Sequence, residues 1–163
     1  MSAVTTENNV LKAAIDNEIP LGAIFNVTDD QFMTFAAVGY NCFQQGQLED
    51  AETIFRGLVA LNSLSYLGYA GLGALYLHQG HLDAAEANLK VAIQLAPDQA
   101  GLYANLFETY LKMAKFDEAE EAYKKALELD PEANDEAVNR AANIVNALGL
   151  VFEECKRQGI SLQ

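Results

Sequence analysis

A ten-residue pattern recurs three times along this chain at a fixed interval. GQLEDAETIF spans 46–55, GHLDAAEANL spans 80–89 and AKFDEAEEAY spans 114–123. The alanines Ala51, Ala85 and Ala119 stand 34 residues apart. Such a period confines the chain to a stack of one supersecondary unit, because a single unit cannot bury its own apolar face and must cover it with the next. The units are helical by composition: Ala is abundant, 51% of the residues are hydrophobic, and there are only 3 prolines.

With that alanine as the twentieth residue, the units run 32–65, 66–99 and 100–133 without gaps. Position eight holds Gly39, Gly73 and Phe107, and position eleven Cys42, Tyr76 and Tyr110. The turn, position fifteen, holds Gly46, Gly80 and Ala114. Position twenty-four holds Phe55, Leu89 and Tyr123, and twenty-seven Leu58, Ala92 and Ala126. Ser63, Pro97 and Pro131 fall at thirty-two. Small residues at eight and twenty let two helices approach, and large ones at eleven and twenty-four fill the space left. A turn glycine accepts positive φ, and proline ends the helix before it. Phe107 breaks the small-residue rule, so the third hairpin should be splayed or repacked. Period and register are those of the tetratricopeptide repeat. The expected fold is all-α: three helical hairpins stacked into a right-handed superhelix with a concave groove, in a single domain covering 1–163. The first helix of each pair is expected near 31–44, 66–78 and 100–112, and the second near 48–61, 82–95 and 116–129. Thr28 and Gln31 form a capping box ahead of the first.

Two flanking segments complete the chain. Within 134–158, Ala137, Ala141, Ile144, Leu148, Val151 and Cys155 alternate at spacings of four and three, one apolar stripe of a helix. Lys156 and Arg157 suit its negative end. An open stack needs a cap over its last hairpin. A coiled-coil seam is the alternative, and fewer than three heptads favours the cap. At the other end, residues 1–31 read as an N-terminal helical segment. Within it, 8–16 places Val10, Leu11, Ala14 and Ile15 on one side, Pro20 interrupts, and Leu21, Ile24 and Phe25 make a second apolar patch. The segment either folds back onto the first repeat or meets another protomer, so Val10, Leu11, Ala14 and Ile15 are the candidate dimerisation residues.

Charge narrows the function. Ten Lys and Arg stand against 23 Asp and Glu, a net charge of −13, which repels nucleic acid and anionic membrane faces. The N-terminus has no basic stretch leading into an apolar run, and no stretch approaches the roughly 20 apolar residues of a membrane span. A soluble cytoplasmic protein is expected. Cys42 and Cys155 lack CxxC spacing and read as buried thiols in a reducing compartment. GYAGLGALY at 68–76 is glycine-rich, but no Lys-Ser or Lys-Thr follows and the setting is a helix, so it is no phosphate loop. His78 and His81 bracket a turn with only Asp83 near, a poor metal set. No Ser-His-Asp or Cys-His arrangement is present, and the acidic run 117–136 reads as a solvated face. Neither enzyme, metal site nor cofactor is expected.

The groove is where function should lie. In such stacks the first helix of each pair lines the concave side at positions two, five, nine and twelve. Here these are Met33, Ala36, Tyr40 and Phe43, then Leu67, Ala70, Ala74 and Leu77, then Gly101, Ala104, Glu108 and Leu111. Some of them serve packing within the stack. A nearly uncharged inward row nonetheless suits an extended apolar segment and disfavours a free carboxylate terminus, which needs Lys, Arg and Asn at such sites.

The stretch IFNVTDDQFMTFAAVGYNCFQQGQLEDAETIFRGLVALNSLSYLGYAGLGALYLHQGHLDAA, 24–85, resembles the class II chaperones of bacterial type III secretion, which bind hydrophobic translocators. The likeness extends over about 8–133; the third repeat, with KKALELDPEA, is closer to a generic one. The resemblance implies a bacterial cytoplasmic chaperone whose Tyr40, Phe43, Ala70 and Leu77 clasp an extended N-terminal stretch of a translocator, and it allows a homodimer through the N-terminal helix. The alternative is an adaptor joining folded partners in another system.

Overall fold

The structure, a computed structural model, describes Gly22 and residues 25–158. The stripe Val10, Leu11, Ala14 and Ile15, and the patch residues Leu21 and Ile24, lie outside the described residues; Phe25 is exposed. Among the described residues there are seven helices: α1 Asp29–Gln44, α2 Leu48–Leu61, α3 Tyr66–Gln79, α4 Leu82–Leu95, α5 Ala100–Lys112, α6 Phe116–Leu129 and α7 Glu136–Arg157. They fall into two compact units, one up to Pro97 and one from Asp98.

Local chemistry sets the helix ends. Thr28 Oγ1 accepts from the Gln31 amide and the Gln31 side chain accepts from the Thr28 amide, the reciprocal box that satisfies two otherwise unpaired donors. Ser65 caps α3 through Leu67, and Asp135 caps α7 by accepting from Ala137 and Val138. At the turns, Gly46 and Gly80 have φ of 77° and 79°, and Ala114 adopts the same left-handed conformation at 58° despite its methyl group.

The first unit is two hairpins, α1–α2 and α3–α4, joined where α3 packs along α2. Its core gathers Phe32, Ala36, Ala51, Phe55, Leu58, Leu72 and Leu75. Position eight behaves as its small residues require: a methyl group on Gly39 would lie 2.7 Å from the Phe55 ring, and one on Gly73 would lie 2.7 Å from Leu89. The other glycines of GYAGLG serve the junction between hairpins. A methyl group on Gly71 would stand 2.3 Å from the Phe55 ring, and one on Gly68 would stand 2.7 Å from Val59. Tyr76 adds a polar tie across the same junction, its hydroxyl donating to Glu52 at 2.9 Å and accepting from Arg56.

In the second unit α5 pairs with α6, and the helices are not splayed by Phe107; the hairpin is repacked. Phe107 takes the centre, its ring 5.2 Å from that of Tyr123. Tyr123 is left half-buried, whereas its counterparts Phe55 and Leu89 are fully buried. Helix α7 lies along α5 and touches α6 little, the reverse of α3, which packs mainly on the second helix of the preceding pair. The predicted stripe caps the hairpin only over its first turns. Val138, which the stripe omits, and Ala141 are fully buried, while Leu148 and Val151 are exposed because α7 runs on past the body it covers.

Candidate functional site

In the first unit the inward row comes from α1 and α3, each brought close against α2 by the glycine contacts described above. Met33 is 58% exposed, and Tyr40, Phe43, Leu67 and Ala74 are half-buried. Ala36, Ala70 and Leu77 are buried; Leu77 keeps only 4% of its surface, so a side chain expected to meet a partner belongs to the packing of its own unit. Tyr40 stands edge-on to Phe55 at 5.1 Å, and Phe43 edge-on to His78 at 5.4 Å, geometries that fix aromatic faces while leaving part of each in solvent. The accessible set on this unit, Met33, Tyr40, Phe43, Leu67 and Ala74, contains no charged side chain. It can offer apolar and aromatic surface and little else.

The row of the second unit is different. Ala104 and Glu108 are buried and Leu111 is half-buried. Glu108 is paired within the unit: Arg140, reaching across from α7, donates through Nε at 2.5 Å to Oε1 and through Nη2 at 2.8 Å to Asn105. The one acid of the predicted row is therefore neutralised from its own chain. Gly101 makes room for the start of α7, since a methyl group there would lie 2.9 Å from the Asp135 carboxylate. Sequence reasoning missed Arg140 and Asn105. The available signal was that Arg140 is the sole cation between Lys125 and Lys156.

His78 and His81 are both exposed, and no group of three or more His, Cys, Asp or Glu side chains is placed to hold a metal among the described residues. Cys42 and Cys155 are free and half-buried rather than buried. No described helix is long and apolar enough to cross a membrane.

Two models described as tetratricopeptide repeat match the chain, one over residues 41–100 and one over 76–144. No curated protein matches the sequence. The structure is similar to the Yersinia enterocolitica type III secretion translocator chaperone SycD, at 21% identity and a TM-score of 0.68, over 79% of this chain and 98% of that one. It is similar to PcrH in complex with the chaperone binding region of PopB, at 24% identity and a TM-score of 0.62, over 72% of this chain and 96% of that one. It is also similar to the first repeat domain of Spaghetti (RPAP3) bound to the HSP90 peptide SRMEEVD, at 22% identity and a TM-score of 0.62, over 76% of this chain and 97% of that one. At these identities the likeness is one of fold.

Proposed function

The chain belongs to the tetratricopeptide-repeat family, and on that premise we propose that it is a cytoplasmic chaperone of a bacterial type III secretion system. Its client is a hydrophobic translocator, held by an extended apolar segment laid against the inner row of the first unit. The observation that carries this reading is the composition of the accessible row: Met33, Tyr40, Phe43, Leu67 and Ala74, aromatic or aliphatic throughout. The likeness to SycD and to PcrH with a bound region of PopB supports it.

The mechanism is linkage. A protein destined for a membrane exposes apolar segments that aggregate or insert early. A preformed surface that binds one such segment lowers the free concentration of the sticky state, by an amount set by affinity and concentration alone. Burying about 600 Å² of apolar surface would contribute on the order of 15 kcal/mol before the costs of ordering the client, and only the remainder becomes affinity. The net charge of −13 keeps the loaded complex soluble.

The second reading is an adaptor for a folded partner, favoured by the likeness to a domain holding SRMEEVD. A peptide of that kind ends in two carboxylates, and the inner positions here offer no Lys, Arg or Asn to meet them. The deciding experiment is co-expression with the products of neighbouring reading frames. A client insoluble alone and soluble with this chain is the expected result, and Tyr40→Asp or Phe43→Asp should abolish the rescue with helical content unchanged. A partner that is stable alone, or a rescue that survives both substitutions, overturns the chaperone reading.

A further inference from the structure

The outer face of the first hairpin carries a groove that client holding does not use. It lies between α1 and α2, encloses about 210 Å³, and is lined by Phe35, Val38, Ile54, Gly57, Leu58 and Leu61, without one polar side chain. The second hairpin shows what this face is for. One repeat after Val38 comes Leu72, which is 6% exposed because α2 lies over it, while Val38 is 46% exposed. The groove is thus the side of the stack on which a preceding helix would pack, and an uncovered end of a repeat stack calls for a cap.

The route of the chain points to the occupant. Gly22 is buried, and a methyl group on it would lie 3.2 Å from the Leu61 carbonyl oxygen; its own carbonyl accepts from the Val27 amide at 2.8 Å. Leu61 is also a wall of the groove, so Gly22 sits at its rim. We propose that residues 8–16 cap the first hairpin of their own chain, laying Val10, Leu11, Ala14 and Ile15 into this groove. The dimensions agree. Nine helical residues are about 13 Å long, and the wall from Ile54 to Leu61 runs about 10 Å. The seven residues from Ile15 to Gly22 span up to about 24 Å when extended, ample to reach back. A tether this short holds the segment at an effective concentration in the millimolar range, which a second copy at micromolar concentration does not match. The same four residues that the sequence offers for dimerisation are therefore taken up within the chain.

The test uses the full chain with Cys42→Ser and Cys155→Ser, and Gly57→Cys as the reporter, a site where a Cβ meets nothing within 4 Å. Paired with Ala14→Cys and mildly oxidised, it should close a disulfide within one chain, at a yield independent of dilution. Lys12→Cys, on the other side of the segment, should lose that product. A disulfide joining two chains assigns the groove to a second copy and overturns the proposal, as does equal yield from Lys12→Cys or no product at all. A second measurement leaves the groove unaltered: deleting residues 1–20 should raise amide hydrogen exchange across 54–61. Unchanged exchange there overturns the proposal too. Neither readout involves the inner row, so client binding stands or falls separately.

Discussion

Gly71→Ala should destabilise the first unit, although alanine is the better helix former. In an exposed helix the change gains about 1 kcal/mol. Here the new methyl would stand 2.3 Å from two carbons of the Phe55 ring, far inside contact distance. That ring is fully buried and is braced on another side by Tyr40, 5.1 Å away, so it has nowhere to turn. Overpacking a tight core costs about 1–3 kcal/mol, and a clash against an immobile ring belongs at or above the upper end. The net loss is about 1–2 kcal/mol. With a urea dependence of about 1–3 kcal/mol per molar, the unfolding midpoint should fall by about 0.5–1 M, read by circular dichroism. Gly149→Ala on α7 is the control, since a methyl there meets nothing within 4 Å and only the helix-propensity gain acts. Adding Phe55→Leu to Gly71→Ala should recover part of the loss relative to Phe55→Leu alone, because the ring causing the clash is gone. If Gly71→Ala proves as stable as the parent, the junction between the two hairpins is looser than these distances require and the packing role of the glycines is wrong.

Other substitutions probe other contacts. Ala114→Gly should stabilise by about 0.5–1 kcal/mol in urea unfolding, since Ala114 holds a left-handed φ of 58° that glycine adopts freely. Glu108→Ala, which leaves Arg140 without its acid, should cost about 1–2 kcal/mol, and Glu108→Gln less because it can still accept a hydrogen bond. The amide of Asp135, and then the Asn134 groups, donate to the Asp130 carboxylate and hold its pKa below the usual value. A lowered folded-state pKa contributes stability above the unfolded value and loses it as pH falls through the folded one. Hydrogen exchange at the start of α7 should therefore rise below about pH 4, and Asp130→Asn should flatten that rise.

The interval between Ala51, Ala85 and Ala119 made the hairpins legible, because each helix pair repeats one packing problem at one spacing. Caps were legible for the same reason: Thr28 with Gln31 is a local interaction, closed within four residues. The inner row was legible as positions and not as surface. Whether Leu77 or Tyr40 meets solvent depends on how far neighbouring helices rotate, and periodicity carries no such information. Gly68 and Gly71 read as ordinary helix interior, since their reason lies on α2 and not in their own neighbourhood. Arg140 was hidden by separation, its acid being 32 residues back on a helix that only the approach of α7 along α5 brings near.

The far end of α7 sets how the protein behaves in concentrated solution. Leu148, Leu150, Val151 and Phe152 stand in water on a rod that has outrun its support, Leu150 with 75% of its surface bare. Molecules carrying such tips would coalesce were it not for the surplus of negative charge that each presents to the next. That mutual repulsion reaches about 10 Å in 0.1 M salt and about 3 Å in 1 M. Salt consequently weakens the barrier while strengthening the attraction, so light scattering at fixed protein concentration should rise between about 0.1 M and about 1 M salt.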